Sequence, residues 1–392
     1  MKKLIYIITA FLCVETYAAG NIGVSGADFL ELGVGSRPLG MGEAFTAMSE
    51  DVNALYYNPA SLGTQKYPEL SINHQELILD SRMENITAVW PVLGGFGAFS
   101  STFFWVPRFE KVDIDGNSAG QVNFYNSAST LAWGKSFGSF YTGAAIKYIY
   151  QKVDTNSYHS IALDAGVLKS FYMYTPFSSP ARNFYLGLSL NNIGTDVAGD
   201  PLPRNFKTGI SYITANWMRV NVDFSEYLIE ATDIFDFTYG FDENFQLNTG
   251  LEFNYDEILY FRTGYKFNDG TSYSFGVGFN YAIKNVAFRI DASYSDADVF
   301  GSIYTLNFTV KLIPKVITTE DKILAEKYYK AGIKAYIAED IDGALANFEK
   351  VKAYNPYYKS IDQKISDLKE LKKLKEQNKK FDDQNEEKTI EF

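Results

Sequence analysis

Few side chains in this sequence could do covalent chemistry. It holds two histidines, His74 and His159, and one cysteine, Cys13. A hydrolytic site needs a nucleophile, a base within reach and a group that orients the base. A zinc site needs three or four nitrogen, sulfur or carboxylate ligands. Neither histidine stands near a Ser-Gly motif, so no enzyme, no metal and no cofactor is expected. The remaining chemistry is ionic. Lys207, Arg219, Arg262, Lys266 and Arg289 lie on the polar parity of alternating segments, and Asp223, Glu252 and Asp291 share it. Luminal or buried cations usually pair with such acids, and a guanidinium can hold a carboxylate through two parallel bonds.

The alternation that sets this parity is clearest toward the end of the segmented region. Tyr273, Phe275, Val277, Phe279 and Tyr281 are separated by Ser274, Gly276, Gly278 and Asn280. Residues 245–255, 286–294 and 304–312 repeat the pattern, with every charge on one parity. Period two over such lengths means strands. A soluble sandwich would fit alternation alone. Three features favour a membrane barrel instead: strands of membrane-spanning length, Tyr255, Tyr273, Tyr281, Tyr294 and Tyr304 capping the apolar parity as an aromatic belt, and a small or hydrophilic opposite parity suited to a lumen. A charge facing lipid at the midplane costs about 2–4 kcal/mol, and no open strand edge is tolerated in hydrocarbon.

Fourteen strands are expected, starting near Tyr67, Asn85, Gly95, Phe124, Phe140, Tyr158, Asn183, Asn205, Trp217, Asn244, Ile258, Thr271, Asn285 and Gly301. Turn signals include Asn268-Asp269-Gly270 and Asp115-Gly116-Asn117. The expected fold class is therefore an all-β transmembrane barrel plus a small helical domain. Residues 1–18 read as a signal peptide, with Lys2 and Lys3 ahead of an apolar run too short to span a bilayer as a helix, and cleavage after Ala18. Residues 19–65 form an N-terminal segment rich in Gly and Ala without clean alternation, 66–312 the barrel, 313–319 a linker, 320–377 a helical domain and 378–392 a charged disordered tail. An even strand number puts both barrel ends on one side, so a chain in the outer membrane would carry its helical domain in the periplasm. The net charge of −11 speaks against nucleic acid as a partner.

Residues 26–63 carry a longer signature: Phe29-Leu30, Gly35-Ser36-Arg37, Met41-Gly42-Glu43-Ala44, Glu50-Asp51, then Asn58-Pro59-Ala60 and Leu62-Gly63. It resembles the N-terminal motif of the PorV/PorQ-like branch of the FadL outer-membrane family, and 202–212 resembles that family's mid-barrel motif. The resemblance implies a fourteen-stranded barrel with the N-terminal segment inside as a hatch, and membrane lipid and hydrophobic molecules such as long-chain fatty acids as partners. It also implies a lateral gap at a kinked third strand. Here Gly94, Gly95 and Gly97 open that strand; glycine there permits a kink, or simply eases a tight turn. If the ligand is a fatty acid, the five luminal cations are candidates for its carboxylate. Bottom-up, Pro59 drives Asn58 out of the helical region, so that Asn58-Pro59-Ala60 ends a helix over 43–57 and wedges against a strand.

Near the C-terminus Tyr328, Gly332, Ala344, Phe348 and Pro356 follow at spacings of 4, 12, 4 and 8, which resembles one tetratricopeptide repeat. A single repeat buries its apolar face poorly. It is expected to dock on the barrel turns, on a second copy or on a periplasmic protein, unless it is a solvated tail. The function expected first is passive passage of hydrophobic molecules. The alternatives are a PorV-like binding or shuttle protein serving secretion, a structural outer-membrane protein and a general porin.

Overall fold

The period-two segments close on themselves. The computed structural model describes residues 25–112, 115, 117–175, 182–228, 245–267, 272–283, 285–296, 301–313, 317, 319–356 and 358–390, with the side chains of 112, 119, 319 and 378–390 excepted. Residues 1–18, read above as a signal peptide, and the Asn268-Asp269-Gly270 turn signal lie outside these residues, as do Gly116 and most of the expected linker. Fourteen antiparallel strands form the barrel: β1 (Glu69–Glu76), β2 (Arg82–Val92), β3 (Gly95–Val112), β4 (Ser118–Phe137), β5 (Phe140–Val153), β6 (Asn156–Phe171), β7 (Phe184–Gly194), β8 (Asn205–Ala215), β9 (Met218–Tyr227), β10 (Phe245–Tyr255), β11 (Leu259–Phe267), β12 (Ser272–Ile283), β13 (Val286–Asp296) and β14 (Ser302–Leu312). Each pairs with its sequence neighbours, and β1 closes on β14 from Glu69↔Lys311 to Glu76↔Tyr304. The all-β barrel is thus confirmed. The largest departure in a strand start is at β4, expected near Phe124 and beginning at Ser118. There the β3–β4 ladder shifts register twice, between Val106 and Phe109 and between Glu110 and Val112, which hides the alternation.

The two parities separate inside from outside. On β12, Tyr273, Phe275, Val277 and Phe279 are 44–54 % exposed, while Ser274 between them is 2 % exposed. Leu131, Ile146, Ile161, Leu163, Phe261 and Leu306 continue the exposed apolar band around the barrel. In water such a band would forfeit about 1.5–3 kcal/mol for each large side chain it leaves unburied. Tyr273, Tyr294 and Tyr304 pack side by side at one rim, tilted and edge-on to one another, with ring centroids 6.4 and 5.5 Å apart. Tyr255 and Tyr281 stand at the other, where β1 begins and β14 ends. At that terminal rim the connections 93–94, 138–139 and 216–217 are short.

The lumen is filled by the N-terminal segment. It contains two four-residue helices, α1 (Ser36–Leu39) and α2 (Ala54–Tyr57), and a 3-10 turn over Pro59–Thr64. A continuous helix over 43–57 does not form. Gly42, Glu43 and Glu50 have φ near +60°, which breaks helical winding, and the Phe45 and Thr46 amides donate to Asp223 instead of to the preceding turn.

Beyond the barrel, α3 (Thr319–Ile337), α4 (Ile341–Tyr354) and α5 (Ile361–Ile390) make the helical domain. Asp340 caps α4 by accepting from the Gly343 amide at 2.8 Å. Ala325, Ala344, Phe348, Val351, Ile361 and Leu368 form its core. The backbone of α5 runs on to Ile390. The domain lies over the terminal rim: Arg182, just before β7, reaches Asp367 at 3.3 Å and Glu370 at 2.7 Å, and the Tyr185 hydroxyl donates to Gln363.

Candidate functional site

The plug and the wall that grips it form the candidate site. Two kinds of strand residue make room and contact for it. The first is glycine on the luminal parity. A Cβ at Gly250 would stand 2.5 Å from the Met41 carbonyl oxygen, and one at Gly187 would stand 2.5 Å from that of Thr46. Gly264 faces the Gly42 backbone in the same way. These glycines let plug backbone lie directly on strand backbone. The second kind is polar. Asp223 accepts the Phe45 and Thr46 amides at 2.7 and 2.6 Å, Asn221 donates to the Ala44 carbonyl at 2.7 Å, and Ser274 accepts the Gly42 amide at 3.0 Å. Buried backbone groups of an irregular segment need such partners.

Asn58 has extended backbone, φ −155° and ψ 111°. Its side-chain oxygen accepts the Ala60 amide at 3.0 Å, and its amide nitrogen faces the carbonyls of Thr46 at 2.9 Å and of Val167 and Leu188 at 3.3 Å. One side chain thus ties two parts of the plug to β6 and β7. Pro59 and Ala60 lie against Gly143 of β5.

A closed ring of alternating charge fastens the other flank. Arg37 grips Glu252 with two bonds, at 2.7 and 2.5 Å, and reaches Asp51 at 2.9 Å. Glu252 accepts from Arg262 at 2.8 Å, Arg262 donates to Asp291 at 2.8 Å, and Arg289 bridges Asp291 at 2.8 Å to Asp51 at 3.6 Å. Arg37 and Asp51 come from the plug; the other four come from β10, β11 and β13. Burial alone would raise the Asp51 pKa, but Arg37 and Arg289 outweigh it and hold the carboxyl below its ordinary range.

The five luminal cations therefore divide. Arg262 and Arg289 belong to the ring, and Lys266 pairs with Glu43 of the plug. Lys207 sits 5.4 Å from the centre of the Tyr57 ring. Arg219 donates to Met48 Sδ at 2.8 Å and to Ser211 Oγ at 3.5 Å. Gly94 has φ +70° in the turn at 93–94, and β2 and β3 pair without a break from Arg82↔Trp105 to Val92↔Gly95, through Gly97. In the helical domain, a Cβ at Gly332 would stand 2.5 Å from Phe348, Ala344 and Phe348 are fully buried, and Tyr328 stacks on Tyr354 at 5.7 Å. Pro356 follows α4 and, with Asn355, Lys359 and Lys364, roofs a chamber of about 660 Å³ whose floor is the plug. Sequence reasoning missed the luminal glycines as a track for the plug; the signal was their recurrence on the polar parity.

The plug and barrel together coincide with one family model, described as Uncharacterised protein family (UPF0164), which matches residues 23–312. The chain belongs to this family. Two relatives from Treponema pallidum (strain Nichols), each named UPF0164 protein, are 28 % identical over 204 residues and 24 % identical over 163. The matches cover 46 % and 39 % of this chain, and 47 % and 49 % of the relatives, so the chain spans about half their length. Among solved structures, the Ralstonia pickettii toluene transporter TbuX is similar at a TM-score of 0.48 and 12 % identity, over 71 % of this chain and 97 % of that one. A Pseudomonas aeruginosa FadL homologue gives 0.43 at 10 % identity, over 71 % and 97 %.

Proposed function

We propose that this member of the family is an outer-membrane channel for small hydrophobic or amphiphilic molecules, closed by its N-terminal plug. The observation that carries the reading is the pairing of an apolar outer band with a lumen whose occupant is fastened by hydrogen bonds and ion pairs. Those polar contacts can be exchanged for water, whereas apolar contacts such as Val52, Leu55 and Leu62 against Val89 and Ala98 favour a shift of the plug over its full withdrawal. With no nucleotide motif in the sequence, passage follows the gradient, and the plug must shift to open a path. On this reading the helical domain is periplasmic, because it sits at the rim that holds both barrel ends. The test is uptake by proteoliposomes of a fluorescent long-chain fatty acid and of toluene, against protein-free liposomes. Equal uptake in both would overturn the channel.

A second reading has support in one observation. The helical domain covers a barrel mouth and leaves Ile323 and Ile337 65 % and 75 % exposed, which suits a PorV-like protein that receives a periplasmic partner. Affinity purification from membranes distinguishes the two: co-purified secreted proteins, without uptake by proteoliposomes, favour the second.

A further inference from the structure

The tripeptide Lys-Ser-Phe occurs twice, at 135–137 and 169–171, and each copy ends a strand at the terminal rim, β4 and β6. In both, the lysine and the phenylalanine lie on the outward parity. The opposite parity belongs to the plug: a Cβ at Gly134 would stand 2.8 Å from Leu62, and Leu168 packs with Ala60. Each ammonium sits beside the ring two residues on, Lys135 Nζ 5.5 Å from the centre of Phe137 and Lys169 Nζ 5.9 Å from that of Phe171. Both stems therefore run along the apolar wall toward the rim, as lysines do when their charge reaches for the headgroup level.

Neither ammonium has a carboxylate within ion-pair distance among the described residues; Lys169 donates to Ser139 Oγ at 2.7 Å. No other Lys, Arg, Asp or Glu among the described strand residues points outward in the half of the barrel next to this rim. Two cations without acids, on a face otherwise uncharged, call for anions from outside the chain, and at that depth of a bilayer the anions are lipid phosphates. Register makes them a pair. Lys135 faces Thr142 on β5, and Phe140 on β5 faces Lys169, so about 10 Å of sheet separates them.

The wall beside the pair has room for a chain. One rung across β4 to β7 reads Trp133, Ala144, Ala165, Leu190 on the outward side. The two exposed alanines between larger neighbours leave a shallow trough, which Thr142 and Val167 continue to the lysines.

We propose that this face binds a phospholipid of net negative charge in the leaflet at the terminal rim, its headgroup held by Lys135 and Lys169 and one acyl chain lying in the alanine trough. The site is on the outside of the wall and does not depend on passage through the lumen.

Tryptophan quenching by brominated lipid tests it. The full chain, with Trp90, Trp105 and Trp217 changed to Phe so that only Trp133 beside the trough emits, is reconstituted in phosphatidylcholine bilayers. Part of the lipid is then replaced by phosphatidylglycerol or phosphatidylcholine with brominated chains. The brominated phosphatidylglycerol should quench at about tenfold lower mole fraction, in line with two lysines acting at a membrane surface. Lys135→Gln with Lys169→Gln should remove the difference, and Lys135→Arg with Lys169→Arg should keep it, while the heat-modifiable mobility of the barrel stays normal in both. Equal quenching by the two lipids, or a preference that survives the glutamine pair, would overturn the site. A chain that sediments as a dimer in uncharged detergent, and as a monomer with both glutamines, would assign the face to a second copy and overturn it as well. Uptake by proteoliposomes is read separately, so failure here leaves the channel standing.

Discussion

Asn58 and Arg37 are the two residues that most directly decide whether the plug stays. Asn58→Ala strips acceptors and donors from the Ala60 amide and from the Thr46, Val167 and Leu188 carbonyls, at a cost of about 1–3 kcal/mol for the buried groups left unsatisfied. The expected readout is faster amide exchange over residues 44–60 with the strands unchanged. Arg37→Met leaves Glu252 only Arg262 as an ion-pair partner and leaves Asp51 the Asn53 amide and the longer contact to Arg289, and costs about 3 kcal/mol; its ion conductance in planar bilayers should rise above that of the native chain. The ring also fixes an acid response. Because the folded Asp51 pKa is depressed, its stabilising effect is complete above the ordinary carboxylate value and is lost only as pH falls through the lower folded value. The Asp51 contribution should therefore stay constant between pH 7 and 5: native and Asp51→Asn conductances should keep the same ratio across that interval, and a changing ratio would show that Asp51 is not held as described. The residues in this ring were half legible from sequence. Parity marked Arg262, Arg289, Glu252 and Asp291 as luminal, but Arg37 and Glu252 are 215 residues apart, and only barrel register and the path of the plug bring them together.

At the scale of elements, strand periodicity carried nearly everything. One parity of β12 reads Tyr273, Phe275, Val277, Phe279, and the structure turns each outward; the same rule orders β10, β13 and β14. It failed where the physics changed, at the shifted β3–β4 ladder and in the plug. The plug is irregular because Asp223, Asn221 and Ser274 take its backbone groups, and a helical propensity argument has no access to those partners. This gives a prediction specific to the β11 wall. Gly264→Val would put a branched side chain where the Gly42 backbone lies, so the plug loses its seat while the ladder to β10 and β12 survives. Protease cleavage within residues 36–57 should increase at least tenfold, with barrel heat-modifiability retained. Gly332→Leu is the counterpart in the helical domain: it collides with Phe348 and should lower that domain's melting temperature without altering the barrel.

For the whole molecule the question is how firmly the helical domain covers the terminal rim. Lys364 sits under it, 5.7 Å from the Tyr329 ring centre, with Asp367 on its own helix, Lys359 before it and Lys66 on the barrel side. Burial pushes the Lys364 ammonium down to about 7, with Asp367 only partly offsetting this. An undocked lysine would keep its proton up to its ordinary value near 10.5. Between those limits the undocked state binds more protons, so docking strengthens as pH rises, by up to about tenfold per unit. Spin labels on Leu93 and Ala346 should give a narrower pulsed-EPR distance distribution at pH 9 than at pH 7, and Lys364→Met should abolish the difference. If the distribution is the same at both pH values in the native chain, Lys364 is not buried by docking.

The ring around Arg37 has one more implication. The plug brings to it a single positive and a single negative side chain, and the wall brings two of each. Within the ring, detaching the segment would leave each party balanced, but the segment as a whole sets Arg37 against Asp28, Glu31, Glu43, Glu50 and Asp51, so an electrical potential across the membrane would act on its net negative charge. Interchanging the plug's two charges, Arg37→Asp together with Asp51→Arg, keeps that balance yet sets like against like at Glu252 and Arg289. Such a chain should remain open under conditions where the native one is shut.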